Sequence, residues 1–159
     1  MLLDTHTLIW YLSDDPQLPM AVKKRIRKQP LVYVSVAVIW EIAIKGAIGK
    51  LELGGKPIQS PEAVHEIIDE CVSQRFEILD ISPSHAALAP FLKSNHKDPI
   101  DRMLAAQAME LGLPLASADP AFDQLAPGIQ RFWTTSTEDA ARPLVHKRHP
   151  RGAAKKNTR

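Results

Sequence analysis

Residues 98–119 read DPIDRMLAAQAMELGLPLASAD, and this stretch decides the fold. Asp98 suits an N-cap, Pro99 the first helical position and Gly112 the stop, with apolar residues recurring at helical spacing between them. LPLASAD then follows as an apolar run without alternation, the pattern of a strand buried on both faces, and it ends in Asp119. A helix that feeds straight into a buried strand is the repeating unit of a parallel α/β sheet. The stretch also poses a chemical question. Asp98 and Asp101 stand where the helix enters the core, and a third acid closes the strand.

The same alternation extends outward in both directions. MLLDT (1–5) reads as a buried strand ending in Asp4, and THTLIWYLS (5–13) as a helix that stops at the turn signal DDPQLP. AVKKRIRKQ (21–29) is a short basic helix ahead of Pro30, LVYVSVA (31–37) a second strand, and VIWEIAIKGAIGKL (38–51) an apolar helix broken by Gly54-Gly55 and Pro57. SPEAVHEIIDECVSQRF (60–76) has Ser60 as cap and Pro61 behind it. FEILDIS is a strand, SPSHAALAPFL a helix and IQRFW (129–133) a last short strand. The expected architecture is α/β: a small, mostly parallel sheet flanked by helices on both faces.

Composition sets bounds on function. A chain of 159 residues, 45% hydrophobic and 24% charged, suits one domain with a proper core. No apolar run reaches the roughly 18 residues of a membrane span, and the N-terminus lacks a basic leader, so a cytoplasmic protein is expected. The single cysteine, Cys71, excludes an internal disulfide and a cysteine-based zinc site, and its helical setting suits core or partner surface. Residues 142–159 carry seven Lys and Arg and no acid, leaving 13 basic against 18 acidic side chains, about −5, in residues 1–141. The division is therefore a domain over 1–133 and a basic tail over 134–159. The tail is read as flexible, either a solvated appendage or an electrostatic arm for nucleic acid. There is no Gly-rich phosphate loop and no G-x-G-x-x-G.

In open parallel sheets, ligands bind beyond the carboxyl ends of the strands. Asp4 and Asp119 end strands there, Asp98 and Asp101 begin the helix before the last core strand, and Glu41 lies in the helix after strand two. Each has a plain reading as well: Asp98 as a cap, Asp101 as an acid favoured at a helix N-terminus, Asp119 as a turn former before Pro120. Asp4 and Glu41 are harder to dismiss, because both interrupt strongly apolar stretches. Several carboxylates in one cleft repel each other, and a divalent cation removes that penalty. All-oxygen ligands favour Mg²⁺ or Mn²⁺.

Taken together, MLLDTHTLIWYL, VSVAVIWEIAIKGAIGKLEL, DPIDRMLAAQAMELGLPLASADPAF and the closing FW resemble the PIN domains of VapC-type toxins, the ribonuclease half of bacterial toxin–antitoxin pairs. The similarity runs from Met1 to about Trp133 with the motifs in order. It implies a metal-dependent endoribonuclease whose acidic positions are Asp4, Glu41, Asp101 and Asp119, all of them metal ligands or catalytic acids. Asp98 belongs to a DPxDR variant of the motif and suits a cap. Ser117 stands where the family commonly has threonine. Thr5, Ser35 and Ser117 are further candidates for hydrogen bonds to the site, and His6 is read as packing nearby. Arg102, Lys97, His96 and Lys45 are candidate RNA contacts, each with a solvated-surface alternative.

The resemblance also implies an RNA substrate, a transfer RNA among the candidates, a cognate antitoxin and a homodimer. Trp10, Trp40 and Ile44 lie on two helices apolar on more than one face, which places an expected antitoxin groove between them. Two other classes compete. A small-molecule phosphohydrolase with Asp4 as nucleophile usually wants an acid two residues on, where this chain has His6. An inactive PIN-like binding domain would not need all four acids.

Overall fold

The computed structural model describes residues 1–125 and 127–136. β1 (Leu2–Leu3) runs directly into α1 (Thr5–Leu12), and α2 (Met20–Arg27) and β2 (Tyr33–Ser35) lead to α3 (Val36–Ala47). A hairpin of β3 (Glu52–Leu53) and β4 (Lys56–Pro57) precedes α4 (Pro61–Ser73), β5 (Glu77–Leu79) and α5 (Pro83–Leu88). After a 3-10 turn at Ala89–Phe91 come α6 (Pro99–Leu111), β6 (Leu115–Ala116), α7 (Ala121–Leu125) and β7 (Arg131–Phe132). The basic tail expected over 134–159 lies almost wholly outside the described residues.

Five strands form a parallel sheet in the order β5-β2-β1-β6-β7. Leu2, Leu3, Val34, Leu115 and Ala116 in its middle are fully buried, which is why these runs show no alternation. Burying each leucine contributes about 2 kcal/mol. The strands are two or three residues long because a helix starts at once where β1 and β2 end. Asp4 caps α1 by accepting from Thr7 N at 2.7 Å, and Ser35 caps α3 by accepting from Ala37 N at 3.0 Å. Asp98 caps α6, and Gly112 ends it in the left-handed conformation, φ 63°.

Several local expectations are corrected. The helix expected over 38–51 ends at Ala47, and the chain leaves it through Gly49 at φ 68°. Gly54 and Gly55, at φ 56° and 78°, then form the two-residue turn of a hairpin that apolar periodicity gave no hint of. α7 was also unforeseen; Asp119-Pro120 starts it and Phe122 and Leu125 bury one face. α2 is basic, but two of its four cations turn inward while Lys24 and Arg27 stay exposed. Lys23 is buried, paired with Asp14 and set 5.9 Å from the centre of the Tyr11 ring, and Arg25 lies 5.5 Å from that of Phe132. Cys71 is core.

Candidate active site

The parallel register gathers polar residues at one edge. Leu3 pairs with both Val34 and Ala116, so one step further places Asp4 between Ser35 and Ser117. Asp4 N donates to Ala116 O at 3.1 Å, and the Asp4 side chain accepts from Thr7 N and from the Ser117 hydroxyl. Asp4 is 6% exposed, and burial raises its pKa above the ordinary carboxylate range despite those hydrogen bonds. The next residue, Thr5, donates its buried hydroxyl to Glu41 Oε2 across from α1 to α3. Lys45, one turn along α3, pairs with Glu41 at 2.6 Å.

Asp101 opens α6 half-buried. Burial pushes its pKa up to about 6; a hydrogen bond from His96 pulls the other way, and the charges of Asp98 and Glu41 add to the rise. α3 and α6 pack against each other, so Glu41 and Asp101 stand on neighbouring helices. His96 Nε2 lies 2.7 Å from Asp101 Oδ2. Asp119 is exposed; its N–H donates to Ser117 Oγ at 3.0 Å and its Oδ1 accepts from Ala121 N at 2.8 Å, so it caps α7.

Other candidates divide differently. Ser35 is fully buried and uses its hydroxyl as the α3 cap. Asp98 is exposed and accepts from Ile100 N and Asp101 N, as a cap does. His6 is exposed and stacks on Trp10, 5.5 Å between centroids. Arg102, a candidate RNA contact, has its donors committed to the backbone. Its guanidinium donates to five backbone carbonyls, of Ala89, Pro90, Leu92, Ser94 and His96, at 2.6–3.3 Å. It ties down a loop rather than facing a ligand. Lys97 is exposed beside it.

The partner candidates also separate. On α3, Trp40 (59% exposed), Ile44 (44%) and Ile48 (59%) form an outward apolar stripe at four-residue spacing. On α1, the surplus is core: Leu8, Ile9 and Tyr11 are buried. Trp10 is half-buried between His6 and Trp133, 5.9 Å from the latter. No helix among the described residues is long and apolar enough to cross a membrane.

A short parallel sheet with acids at its carboxyl edge has a known counterpart. Residues 1–127 match the PIN domain family. The chain belongs to the PIN-domain family. PIN domains are typically nucleases and typically bind a metal. Among solved structures, this PIN domain resembles VapBC2 from Rickettsia felis bound to a DNA fragment from their promoter, with TM-score 0.60, 18% identity, and coverage of 82% of this chain and 96% of that one. It also resembles DNA-bound VapBC from Salmonella typhimurium, with TM-score 0.60, 21% identity and coverage of 82% and 95%. FitAcB from Neisseria gonorrhoeae matches with TM-score 0.59, 24% identity and coverage of 82% and 95%. At these identities the likeness is one of fold. Comparison with curated proteins finds no match.

Among the described residues, no three His, Cys, Asp or Glu side chains converge into a ready metal cage. The donor chemistry nonetheless fits a hard cation. Asp4 and Asp101 are carboxyls raised by burial, Glu41 bears on Asp101, and the flanking groups are hydroxyls. Lys45 pairs with Glu41, and His96 is hydrogen bonded to Asp101.

Proposed function

We propose that this PIN domain is a cytoplasmic, Mg²⁺- or Mn²⁺-dependent endoribonuclease and the toxin of a toxin–antitoxin pair. One observation carries the proposal. A buried strand-end carboxyl, Asp4, is held away from water, its neighbour Thr5 bonds Glu41 on α3, and Asp101 opens the α6 helix that packs against α3 with its own pKa raised by burial. A desolvated carboxyl is costly to keep without a cation to face it or a use for its raised basicity.

Asp4 and Asp101 would hold the cation, with Glu41 and Asp119 completing the site or orienting water. When bound, the cation supplies charge neutralisation and an acidified water, the two needs of phosphodiester hydrolysis at neutral pH. Thr5 fixes Glu41, and Ser117 fixes Asp4 while receiving the Asp119 N–H. A water oriented by Glu41 or Asp119 attacks phosphorus and displaces the leaving oxygen of the RNA chain. Lys97 stands exposed at the rim, where phosphates would pass.

Partners follow from surfaces. Solved structures of similar fold include a toxin–antitoxin complex from Klebsiella pneumoniae and DNA-bound VapBC from Salmonella typhimurium. The α3 stripe of Trp40, Ile44 and Ile48 suits an amphipathic antitoxin segment, with Trp10 at its margin. A homodimer is the common oligomer, and a transfer RNA is one candidate substrate.

A second reading has an observation behind it. The Lys45–Glu41 ion pair and the His96–Asp101 hydrogen bond already give two of the acids partners within the chain, as an inactive PIN-like binding domain would require. A small-molecule phosphohydrolase gains no such support, since His6 stacks on Trp10. Incubation of the purified chain with single-stranded RNA and with a small phosphomonoester, in Mg²⁺ and in chelator, separates the three. Mg²⁺-dependent RNA cleavage alone is expected.

A further inference from the structure

We propose that the cleft between the 93–96 loop and α7 is a nucleotide-recognition subsite. It would receive the base and phosphate adjoining the cleaved bond and set the enzyme's sequence preference. The inference rests on the ribonuclease reading above and deepens it.

The cleft has a volume of about 460 Å³ and is lined by Lys93, Ser94, Asn95, His96, Ala121 and Gln124. It touches the acidic site at two points. His96 in its wall is hydrogen bonded to Asp101 at 2.7 Å, and Ala121 N in its opposite wall donates to Asp119 at 2.8 Å. Whatever lies in the cleft therefore abuts two of the proposed catalytic acids.

One wall is held rigid. Arg102 binds the carbonyls of Ala89, Pro90, Leu92, Ser94 and His96. Ser94 N donates to Leu92 O at 2.9 Å, and His96 N to Ser94 Oγ at 3.1 Å. The carbonyls of 92, 94 and 96 are fixed inward, while the intervening Lys93 and Asn95 side chains are exposed. Polar side chains displayed on a pinned loop make a pre-organised recognition surface, because little further ordering is needed on binding.

The chemistry of the lining selects the occupant. Asn95 and Gln124 each offer an amide donor and acceptor, the pairing that reads a base edge. Lys93 offers a point charge for phosphate. Unstacked bases in single-stranded RNA present the edges such groups read. The lining itself contains no carboxylate, so a phosphate would meet Lys93 there, with the acids of the neighbouring site just beyond.

The experiment uses the full chain and a randomised single-stranded RNA pool with Mg²⁺, sequencing the cleaved ends. Wild type should prefer one base at a position beside the cut. Asn95→Ala and Gln124→Ala should each relax that preference by about tenfold, with other positions unchanged and melting temperature unaltered. Lys93→Ala should raise KM on every sequence and lower the salt slope by about one phosphate contact. Preference unchanged in both Asn95→Ala and Gln124→Ala overturns the subsite. If wild type cleaves no RNA, the ribonuclease reading fails by itself, and titration of fluorescent oligonucleotides then tests the cleft. Equal affinity of wild type and Lys93→Ala/Gln124→Ala overturns it. Loss of antitoxin binding with RNA binding intact also overturns it and makes the cleft a protein-docking site.

Discussion

His96 Nε2 lies 2.7 Å from Asp101 Oδ2, and yet the Asp101 carboxyl is pushed up to about 6 because burial outweighs that hydrogen bond. The folded chain therefore holds a proton that the unfolded chain, titrating near 3.8, has released. Asp4 shifts in the same direction. A raised folded pKa gives stability that is present below about pH 4 and is lost as pH rises through about 6. Asp101→Asn keeps the shape without the charge. Its stability relative to metal-free wild type should grow between pH 4 and pH 7, by about 1–2 kcal/mol after solvent screening. Thermal melting across that range checks this, and a constant difference would count against a desolvated carboxyl.

Arg102→Lys should cost about 3 kcal/mol in denaturant unfolding. Five N–H donors in a fixed fork serve five carbonyls, and an ammonium has three donors and no fork. Protease nicking should appear within residues 89–97. Near-native stability would show that the loop holds without its clamp.

Gly46→Ala should destabilise by about 2–3 kcal/mol although alanine is the better helix former. A Cβ at position 46 would lie 2.0 Å from Ile58 O, where α3 passes the chain leaving the hairpin. Unchanged or raised stability would show that the backbone at Ile58 yields.

Substitution at the α3 stripe should separate binding from folding. Ile44→Glu changes an exposed side chain, so stability should move by no more than about 0.5 kcal/mol. Titration with the cognate antitoxin should show a loss of about 2 kcal/mol, as at the centre of an interface. Unaltered affinity moves the docking surface elsewhere. Trp10, packed between His6 and Trp133, should instead lower stability when replaced.

Much of the fold was written in local signals. Asp98, Pro99 and Gly112 marked α6 at both ends, and unalternating runs such as MLL marked strands buried on both faces. The edge where Asp4, Ser35 and Ser117 meet followed from one rule about parallel sheets. The hairpin around Gly54-Gly55 was hidden because its strands are two residues long and carry no periodicity. The role of Arg102 was hidden for a different reason. Its partners are backbone carbonyls, which every residue has, so no side-chain pattern announces them. Lys45, read as a candidate RNA contact, is instead an i,i+4 partner of Glu41, a pairing its spacing allows but does not announce. The buried cations of α2 were not, because charge alone says nothing about the Tyr11 and Phe132 rings that cover Lys23 and Arg25.

The most direct measurement is cleavage of single-stranded RNA by wild type, Asp4→Asn and Asp101→Asn, each with saturating Mg²⁺ and each with melting followed in parallel. Cleavage should be Mg²⁺-dependent in wild type and fall by at least about a hundredfold in both variants, while each melts no lower than metal-free wild type. Near wild-type cleavage by either variant, or RNA cleavage by wild type that persists in chelator, would contradict a cation-dependent site built on these carboxylates.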